Sequence, residues 1–446
     1  MSLIHLKADN LGPCEVWDII FGERLTLITG DNSVGKTLIL KTIFETLSGQ
    51  TPKIYAPTIE DNKGKREVSS ISWELESNCL GASLKNPKTE VKKWNLPKDT
   101  QSQPSTEAIA LKYPHLVIYF KADGSVIYLD HHHNQKHKSN QFYSFHQESL
   151  TAAQLAENFM TDWREWSTTT SSGRGEKLKT VLRSLFRDIE GGSKHNVKLH
   201  PTTAKTAIQA QSDAPFFKRT AIPVVDLPYE TNVPFTHLSE GMKRIFCMAY
   251  ALTNYLWDGN RIDHLQELLK SEGGDIVILI DELEQHLHPQ WQRVMIRNLL
   301  ATIKQFVGKK ASTIQIIATT HSPLILTGYV PKFNKKKDKL YTFLTANDSR
   351  QVNLKEQEDL DSLYRIEHTL LSESFGLKST WPLSVEQLKQ NIQEKIKATE
   401  KIVTQKEIDD WDREIQALPQ REPLVSAWLF DYKPRLEKRI TPNRGE

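Results

Sequence analysis

The stretch from Gly30 to Thr37 constrains the fold of this chain more than any other part of its sequence. It reads Gly30-Asp31-Asn32-Ser33-Val34-Gly35-Lys36-Thr37 and fills every defined position of the pattern G-x-x-x-x-G-K-[ST]. An apolar segment typical of a buried strand precedes it, and apolar residues at helical spacing follow it. Strand, glycine loop and helix together predict a loop whose backbone N–H groups bind a polyphosphate. We therefore expect these residues to bind a nucleoside triphosphate, with Lys36 reaching its β- and γ-phosphates and Thr37 binding Mg²⁺.

Two adjacent acids follow a second apolar segment in the C-terminal half of the chain. The run from Asp275 to Ile280 is continuously apolar after its first residue, as in a fully buried parallel strand, and it leads into Asp281 and Glu282. Acids at the carboxyl end of such a strand lie where open α/β sheets bind ligands. The sequence therefore predicts that Asp281 holds Mg²⁺ through water and that Glu282 polarises the attacking water.

A third apolar segment and a short signature complete the pattern. The segment from Ile314 to Ala318 leads into Thr319-Thr320-His321, so we predict His321 at the same sheet edge, within reach of the γ-phosphate. Upstream, Leu238-Ser239-Glu240-Gly241 fits L-S-x-G, a weak pattern that gains meaning from the apolar helix predicted after it. The order of these segments indicates a nucleotide site more strongly than any one of them does.

Composition argues against several other classes of protein. The 446 residues include three cysteines, which disfavours a disulfide framework and suits a reducing cytoplasm. Asp9 and Asn10 interrupt any signal peptide early, and no apolar run is long enough to cross a bilayer. The formal net charge of +3 is too balanced to indicate nucleic acid by itself. We expect a cytoplasmic protein without a membrane partner.

Four motifs in this order resemble the head of ABC-type ATPases: the P-loop, L-S-E-G-M-K-R, I-L-I-D-E-L-E-Q-H-L-H-P and A-T-T-H-S-P. Within that group the chain resembles RecF, the SMC proteins, the OLD-type ATPases and the Septu antiphage ATPases, and its layout is most similar to the Septu ATPases. The phrase Glu284-Gln285-His286-Leu287-His288-Pro289 is similar to the D-loop of the OLD and Septu members. The resemblance covers the segments 1–50 and 235–330.

This resemblance implies an AAA-family ATPase that converts ATP and water to ADP and phosphate, with ATP and Mg²⁺ as the bound groups. In such heads two protomers sandwich two ATP molecules. Ser239 and Gly241 of one chain are therefore implied to contact the γ-phosphate that the other chain binds. The same likeness makes Glu282 the general base and implies a homodimer or a higher homo-oligomer.

The predicted fold class is α/β, an ABC-type head in which a mixed sheet with helices accompanies an antiparallel β subdomain. A helical insertion interrupts this head, and a helical C-terminal tail follows it. The predicted divisions are an N-terminal lobe with the P-loop, a helical and loop insertion, a C-terminal lobe with the other motifs, and the tail, at 1–130, 131–224, 225–345 and 346–446.

Three features set the chain apart from individual members of this group. It has no sustained heptad pattern between P-loop and signature, unlike the SMC proteins. The Q-loop glutamine stays unassigned among Gln101, Gln103 and Gln141. The D-x-D at Asp359-Leu360-Asp361 follows a charged run, so no Toprim nuclease domain is expected. Septu systems accompany such a nuclease-free ATPase with a separate HNH nuclease, and the resemblance implies a similar effector here.

The tail is predicted to contact a partner or another copy of the chain. The segment from Leu383 to Leu418 is highly charged and helical in pattern, and its narrow apolar stripe, which includes Leu388 and Ile392, needs a covering surface. Trp428 and Phe430 are expected to dock on the head or on a partner.

Three polar runs are interpreted as solvated loops. His131-His132-His133 invites a metal interpretation, but no cysteine or patterned carboxylate completes a ligand set. The basic stretch from Gly191 to Arg219 has phosphate contact as its alternative interpretation, and the run from Lys332 to Lys339 has contact with a partner as its alternative.

Two functions from different classes remain open. In the first, the chain is the sensor or regulator subunit of an antiphage defence system and controls a separate nuclease or toxin. In the alternative, it is a RecF-like ATPase of DNA repair or recombination that binds duplex DNA. The expected lack of a fused nuclease domain favours the first.

Overall fold

A computed structural model describes residues 2–11, 14–31, 34–48, 70–76, 89–95, 116–130, 146–168, 173–187, 198–200, 223–227, 230–257, 276–306, 314–345, 352–358, 360–372, 375, 377, 380, 382–397, 403–418, 425 and 427–437. These residues fall into two compact units, Met1–Gly376 and Leu377–Glu446. Each unit has a hydrophobic core of its own.

The strands in this part of the chain are β1 (Ser2–Leu11), β2 (Cys14–Ile20), β3 (Leu25–Gly30), β4 (Ser70–Glu76), β5 (Thr89–Asn95), β6 (Leu116–Phe120), β7 (Val126–Asp130), β8 (His146–Leu150), β9 (Lys198–His200), β10 (Val224–Asp226), β11 (Val233–Pro234), β12 (Ile276–Ile280), β13 (Ile314–Thr319), β14 (Asp338–Thr345) and β15 (Val352–Glu356). The helices are α1 (Lys36–Ser48), α2 (Ala152–Thr168), α3 (Arg174–Leu185), α4 (Glu240–Trp257), α5 (Pro289–Ile303), α6 (Pro323–Tyr329), α7 (Ile366–Leu371), α8 (Leu383–Lys397), α9 (Gln405–Gln416) and α10 (Lys433–Glu437). Among the helices just named, none is long and apolar enough to cross a membrane.

Unit 1 is built on a large mixed sheet. Within the described residues, eight strands follow the order β15-β14-β3-β13-β12-β6-β7-β8. The five strands from β14 to β6 run parallel to one another. The three outer strands β15, β7 and β8 are antiparallel to their neighbours. The hairpin predicted around Ala122-Asp123-Gly124 is present as β6 and β7.

Helices cover both faces of this sheet, which explains the uninterrupted apolar strands. Every residue of β3, β6 and β12 is buried. Along β12, Ile276, Ile278 and Ile280 pack in the same cluster as the buried side chains of α4, while Val277 and Leu279 pack with those of α1. A strand that is buried on both faces has no polar face, so polar and apolar residues do not alternate along it.

The predicted helical insertion contributes directly to the core of unit 1. Phe159 of α2 packs 6.1 Å, between ring centroids, from Phe246 of α4. Phe186, which follows α3, lies 5.7 Å from the same ring. Helices α2 and α3 therefore complete the hydrophobic cluster on the α4 face of the sheet.

An antiparallel β subdomain is attached to the large sheet through a buried glutamine. Strands in the order β2-β1-β4-β5 form a second sheet, and β11-β10-β9 form a third. The backbone N–H of Leu3 donates to Gln315 Oε1 at 3.0 Å. Gln315 Nε2 in turn donates to the carbonyl oxygens of Leu3 and Gly22 at 2.8 and 2.9 Å. The fold class is therefore the predicted one, a mixed α/β head with an antiparallel subdomain.

The head extends beyond the predicted tail boundary at residue 346. Strand β15 pairs with β14, with Thr345 opposite Val352 and Tyr341 opposite Glu356. Leu363 is fully buried in the main cluster of unit 1. The boundary between the two units lies after Gly376 instead, because these segments complete the sheet and its cover.

Unit 2 replaces the single long helix predicted from Leu383 to Leu418 with α8 and α9. The second helix begins at a capping box in which Thr404 Oγ1 accepts the N–H of Glu407 at 3.2 Å. The backbone N–H of Thr404 donates to Glu407 Oε2 at 2.9 Å. Both hydrogen bonds satisfy backbone N–H groups of the kind that a helix N-terminus leaves without a partner. A new helix therefore begins here.

The apolar stripe of α8 is covered inside unit 2. Ile392 of that stripe and Trp428 are both fully buried in one small core. The indole Nε1 of Trp428 donates to Asp412 Oδ1 at 2.8 Å. The expectation that Trp428 docks on the head or a partner is therefore wrong, because its own unit buries it. Phe430, with 84% of its surface exposed, is the residue of that pair left at the surface.

Candidate functional site

The predicted P-loop connects β3 to α1. Gly30 and Gly35 have φ angles of 140° and 102°, in the region that side-chain-bearing residues rarely adopt. A Cβ at Gly30 would also lie 2.6 Å from the Cβ of Phe343 on β14. Glycine is therefore required here both by the turn and by the neighbouring strand. Asn32 and Ser33, two of the predicted binding residues, lie outside the described residues.

Lys36 begins α1 with its ammonium group folded into the loop. Nζ donates to the carbonyl oxygens of Gly30 at 2.7 Å and Asp31 at 2.5 Å, and only 5% of the residue is exposed. Burial lowers the pKa of Lys36 to about 8, against the opposing effect of carboxylates that include Glu284 and Glu282. Both hydrogen-bond acceptors are neutral, so a polyphosphate would stabilise the charged form. The loop fits the phosphates of a nucleotide.

One threonine orients both acids that follow β12. Asp281 is 1% exposed, and its Oδ1 accepts the hydroxyl of Thr319 at 2.7 Å. The same Thr319 oxygen accepts the backbone N–H of Glu282 at 2.9 Å. Since Thr319 ends β13, the parallel neighbour of β12, the pairing of these two strands fixes the position of the acidic pair.

Asp281 and Thr37, at the start of α1, are the two residues predicted to hold a magnesium ion. Thr37 is exposed at the second position of that helix, and hydroxyl and carboxylate oxygens are the ligands that Mg²⁺ takes beside phosphate oxygens. Among the described residues, no group of three or more His, Cys, Asp or Glu side chains could hold a metal. A carboxylate and a hydroxyl oxygen suit an ion that also binds the phosphates of a nucleotide.

The side chains of Glu282 and His321 face each other at this sheet edge. Glu282 Oε1 lies 3.9 Å from His321 Nε2, too far for a direct hydrogen bond and close enough for a shared water. Burial, assisted by the charge of Lys36, lowers the pKa of His321, which favours the neutral imidazole at pH 7. The sequence predicts that His321 lies at this edge of the sheet. In the structure it lies there beside Glu282, the predicted general base.

Glu284 is a site residue whose role sequence reasoning missed. Its Oε2 accepts the hydroxyl of Thr320 at 2.6 Å, and its Oε1 accepts the backbone N–H of His321. The carboxylate thus holds the main chain on which His321 is carried. The only local signal is that Glu284 is a third acid in the same short segment as Asp281 and Glu282.

The signature residues Ser239 and Gly241 occupy the start of α4. Ser239 is exposed, and its Oγ accepts the N–H of Met242 at 3.4 Å. Gly241 is buried, and a Cβ there would overlap the carbonyl oxygen of His286. The glycine therefore has an explanation within one chain, and the predicted contact of both residues with a second chain's nucleotide stays a prediction.

Several sequence features fall outside the described residues. They are the His131-His132-His133 run, the basic stretch from Gly191 to Arg219, and the three candidate Q-loop glutamines, Gln101, Gln103 and Gln141. The second basic run is described, and four of its lysines, Lys332, Lys335, Lys336 and Lys337, are exposed.

A mixed sheet carrying a P-loop, an acidic pair and a histidine at one edge defines a P-loop ATPase head. A family model described as "AAA domain, putative AbiEii toxin, Type IV TA system" matches residues 25–327. The chain therefore belongs to this family of AAA ATPases, as its sequence predicted.

The chain is similar in sequence to named proteins of bacteria, two of which match it to the following extent. The chain is 26% identical over 338 residues to the Septu protein PtuA of Bacillus thuringiensis, covering 72% of this chain and 71% of that protein. It is 31% identical over 119 residues to the Retron Vc95 probable ATPase of Vibrio cholerae serotype O1 biovar El Tor, covering 26% of this chain and 21% of that one. Among solved structures, the SMC head domain from Thermotoga maritima matches 80% of this chain and 100% of its own length, with 12% identity and a TM-score of 0.37.

Proposed function

We propose that this chain binds ATP with Mg²⁺ at the edge of the large sheet and hydrolyses it to ADP and phosphate. The observation that carries this proposal is the convergence of Lys36, Asp281, Glu282 and His321 on one edge. Carboxylates of Glu284, Glu282 and Asp281 all act on the charge of Lys36, which requires them to lie near the P-loop. A cationic loop facing a cluster of acids is suited to an anion that arrives with a divalent cation.

Each residue then has a distinct part in the reaction. Gly35, Lys36 and the N-terminus of α1 bind the phosphates. Thr37 and Asp281 would hold Mg²⁺, which would neutralise the negative charge that develops on the phosphates. Glu282 accepts the proton of the attacking water as general base. His321, neutral and 3.9 Å from Glu282, orients that water or the γ-phosphate from the other side.

Hydrolysis is proposed to require two chains. Ser239 is exposed at the start of α4, so its hydroxyl and the adjacent N–H groups are available to the γ-phosphate of a second head. In this arrangement Gly241 allows α4 to approach the turn at His286 closely enough to present Ser239. The assembly would be a homodimer, or a higher homo-oligomer that contains such dimers.

In the cell, the ATPase is proposed to regulate a separate nuclease or toxin in defence against phages. Support comes from the similarity to a Septu protein over 72% of this chain and 71% of that protein. The similarity to a retron ATPase supports the same class of role over a shorter segment. ATP binding and hydrolysis by this chain would then control the activity of the effector.

The test separates nucleotide chemistry from defence. Purified wild-type protein should release phosphate from ATP, Lys36→Ala should lose ATP affinity, and Glu282→Gln should keep that affinity and turn over about 10²–10⁴-fold more slowly. The chain is then expressed with the products of its neighbouring genes and challenged with phages. Protection that survives both substitutions would overturn the regulatory role, and phosphate release by Glu282→Gln at the wild-type rate would overturn the catalytic assignment.

A RecF-like role on duplex DNA is the second candidate, and one observation favours it. The exposed lysines at 332, 335, 336 and 337 place several positive charges on one ordered turn, which Asn334 stabilises by accepting the N–H of Lys336 at 3.0 Å. Phosphate contacts made by lysines give a steep dependence of affinity on salt. Duplex binding by the purified chain that weakens steeply with salt, and that is lost in Lys335→Glu/Lys336→Glu, would favour this candidate.

A further inference from the structure

Arg244 on α4 forms an unusual set of hydrogen bonds with the turn that follows β12. Its Nη2 donates to the carbonyl oxygens of Asp281 at 2.9 Å and Glu282 at 3.0 Å. Its Nη1 donates to the carbonyl oxygen of Ala122 at 3.0 Å and to Gln285 Oε1 at 2.5 Å. All four acceptors are neutral carbonyl oxygens, so this guanidinium acts on main-chain geometry and on the Gln285 amide.

The turn that Arg244 binds is conformationally strained. Glu282 has a φ of 47°, in the left-handed region that side-chain-bearing residues adopt at a cost. Such a conformation persists only when surrounding contacts determine it. On one side Thr319 Oγ1 accepts the N–H of Glu282 at 2.9 Å. On the other side Arg244 binds the two successive carbonyl oxygens that flank this residue's φ and ψ rotations.

The geometry of a guanidinium suits this task. Its planar fork presents several N–H groups in fixed directions, so one side chain can bind carbonyls from separate segments at once. Ala122 lies in the turn between β6 and β7, and Asp281 and Glu282 follow the adjacent strand β12. Arg244 therefore ties the signature helix to two strand ends at the edge where the nucleotide is proposed to bind.

We propose that Arg244 is a positioning residue for ATP hydrolysis: from the signature helix it holds Glu282 in the left-handed turn that presents its carboxylate. The inference rests on the proposed ATPase function and adds a residue to it. Because Ser239 lies at the start of the same helix, its contact with a nucleotide bound by the second chain would stabilise the turn of its own chain.

The first test measures turnover and nucleotide affinity separately. Arg244→Met should lower the turnover number by about 10²-fold, because small displacements of a catalytic group have effects of this size. Its affinity for a non-hydrolysable ATP analogue should change less than threefold. Arg244→Lys should remain well below wild type, since one ammonium cannot replace the fork. A wild-type turnover number in Arg244→Met would overturn the proposal.

Arg24→Met is the matched control for losing a partly buried arginine. Arg24 donates to both carboxylate oxygens of Asp338, at 2.9 and 2.6 Å, and to the Tyr329 hydroxyl at 2.8 Å. Arg24 directly precedes β3, whereas the P-loop lies at the other end of that strand. The control should lower the melting temperature and leave turnover per folded molecule unchanged. An equal loss of turnover in both variants would show a general packing effect and overturn the positioning role.

The second test asks whether Arg244 holds the left-handed backbone. Glycine adopts positive φ without strain, so Glu282→Gly removes the need for holding. The drop in melting temperature caused by Arg244→Met should therefore be smaller in the Glu282→Gly background than in wild type. The carbonyl of Ala122 loses its donor in both backgrounds, so that effect cancels in the double-mutant cycle. Equal drops would contradict the proposal, whereas failure of the ATPase function itself would appear as unchanged turnover in Glu282→Gln.

Discussion

Gly241 on the signature helix lies against the main chain of His286, and a Cβ at this position would overlap the carbonyl oxygen of His286. Gly241→Ala should therefore destabilise the protein by about 1–3 kcal/mol even without nucleotide, because backbone atoms must move apart. Thermal unfolding measures the change, and Ser239→Asn, which keeps a capping oxygen at the exposed start of the same helix, is the control with an expected change within about 0.5 kcal/mol. Wild-type stability of Gly241→Ala together with lost ATPase activity would show that the nucleotide, rather than His286, requires the glycine.

Glu284→Gln should slow phosphate release by weakening the hold on His321. The two carboxylate oxygens of Glu284 accept the Thr320 hydroxyl and the His321 N–H. An amide has only one acceptor oxygen, so its NH₂ group would face one of these two donors. We expect about a 10–100-fold lower turnover number with little change in the Michaelis constant for ATP. Glu157→Gln, an exposed glutamate on α2, is the control. A rate equal to that of the control would rule out this role.

Mixing two inactive variants tests the two-chain site. Ser239→Arg blocks the surface offered to a second chain, and Lys36→Ala empties the P-loop of its charge. A mixed dimer contains one composite site with both residues intact, so mixing should restore part of the ATPase activity. Steady-state phosphate release at several mixing ratios measures this. Activity per chain that is independent of protein concentration down to high dilution would argue against the sandwich.

Gln315→Leu should weaken the attachment of the antiparallel subdomain to the large sheet. The substitution keeps the volume and leaves the N–H and carbonyl of Leu3 and the carbonyl of Gly22 without their partner. Unsatisfied buried groups cost about 1–3 kcal/mol each, so the melting temperature should fall clearly. Gln290→Leu, on an exposed part of α5, should leave it unchanged. Equal melting temperatures for the two variants would mean that the Gln315 bonds add nothing to stability.

Unit 2 is expected to act in partner binding or in assembly of copies of the chain, so its removal should spare the ATPase. A chain ending at Gly376 keeps the whole of unit 1 and should bind ATP with wild-type affinity. Trp428→Ala, which disturbs the core of unit 2, should reproduce any loss of effector control or assembly in the full-length chain. Co-purification with neighbouring gene products, together with calorimetry of ATP binding, distinguishes the outcomes. A truncated chain that cannot bind ATP would assign unit 2 to the ATPase itself.

The sequence predicted those site residues whose signals are local. A glycine loop between an apolar strand and a helix, and acids or a histidine directly after apolar strands, are readable within about a dozen residues. The edge of the sheet then follows, because parallel strands bring their carboxyl ends together. The placement of Lys36, Asp281 and His321 was predicted in this way, and their functional roles stay predictions.

The residues that support the site escaped because their partners are distant in sequence. Arg244 binds the turn after β12, and Gln315 binds Leu3 at the other end of the chain. No periodicity encodes such pairs. The break between α8 and α9 differs from them, since Thr404 and Glu407 carry the local signature of a helix start, which the charged pattern around them obscured. Strand β15 was also missed, because it is short and lies at the outer edge of the sheet.

The position of β3 has a consequence for biosynthesis. This strand, which carries the P-loop from near the beginning of the chain, lies between β13 and β14, both made late. Gly30 fits directly against Phe343 of β14. A ribosome adding 5–20 residues per second therefore needs on the order of tens of seconds between making the loop and making the strands that enclose it. During that interval the nascent chain carries the glycine loop without the two neighbouring strands, so nucleotide can stabilise the protein only after β14 has been made.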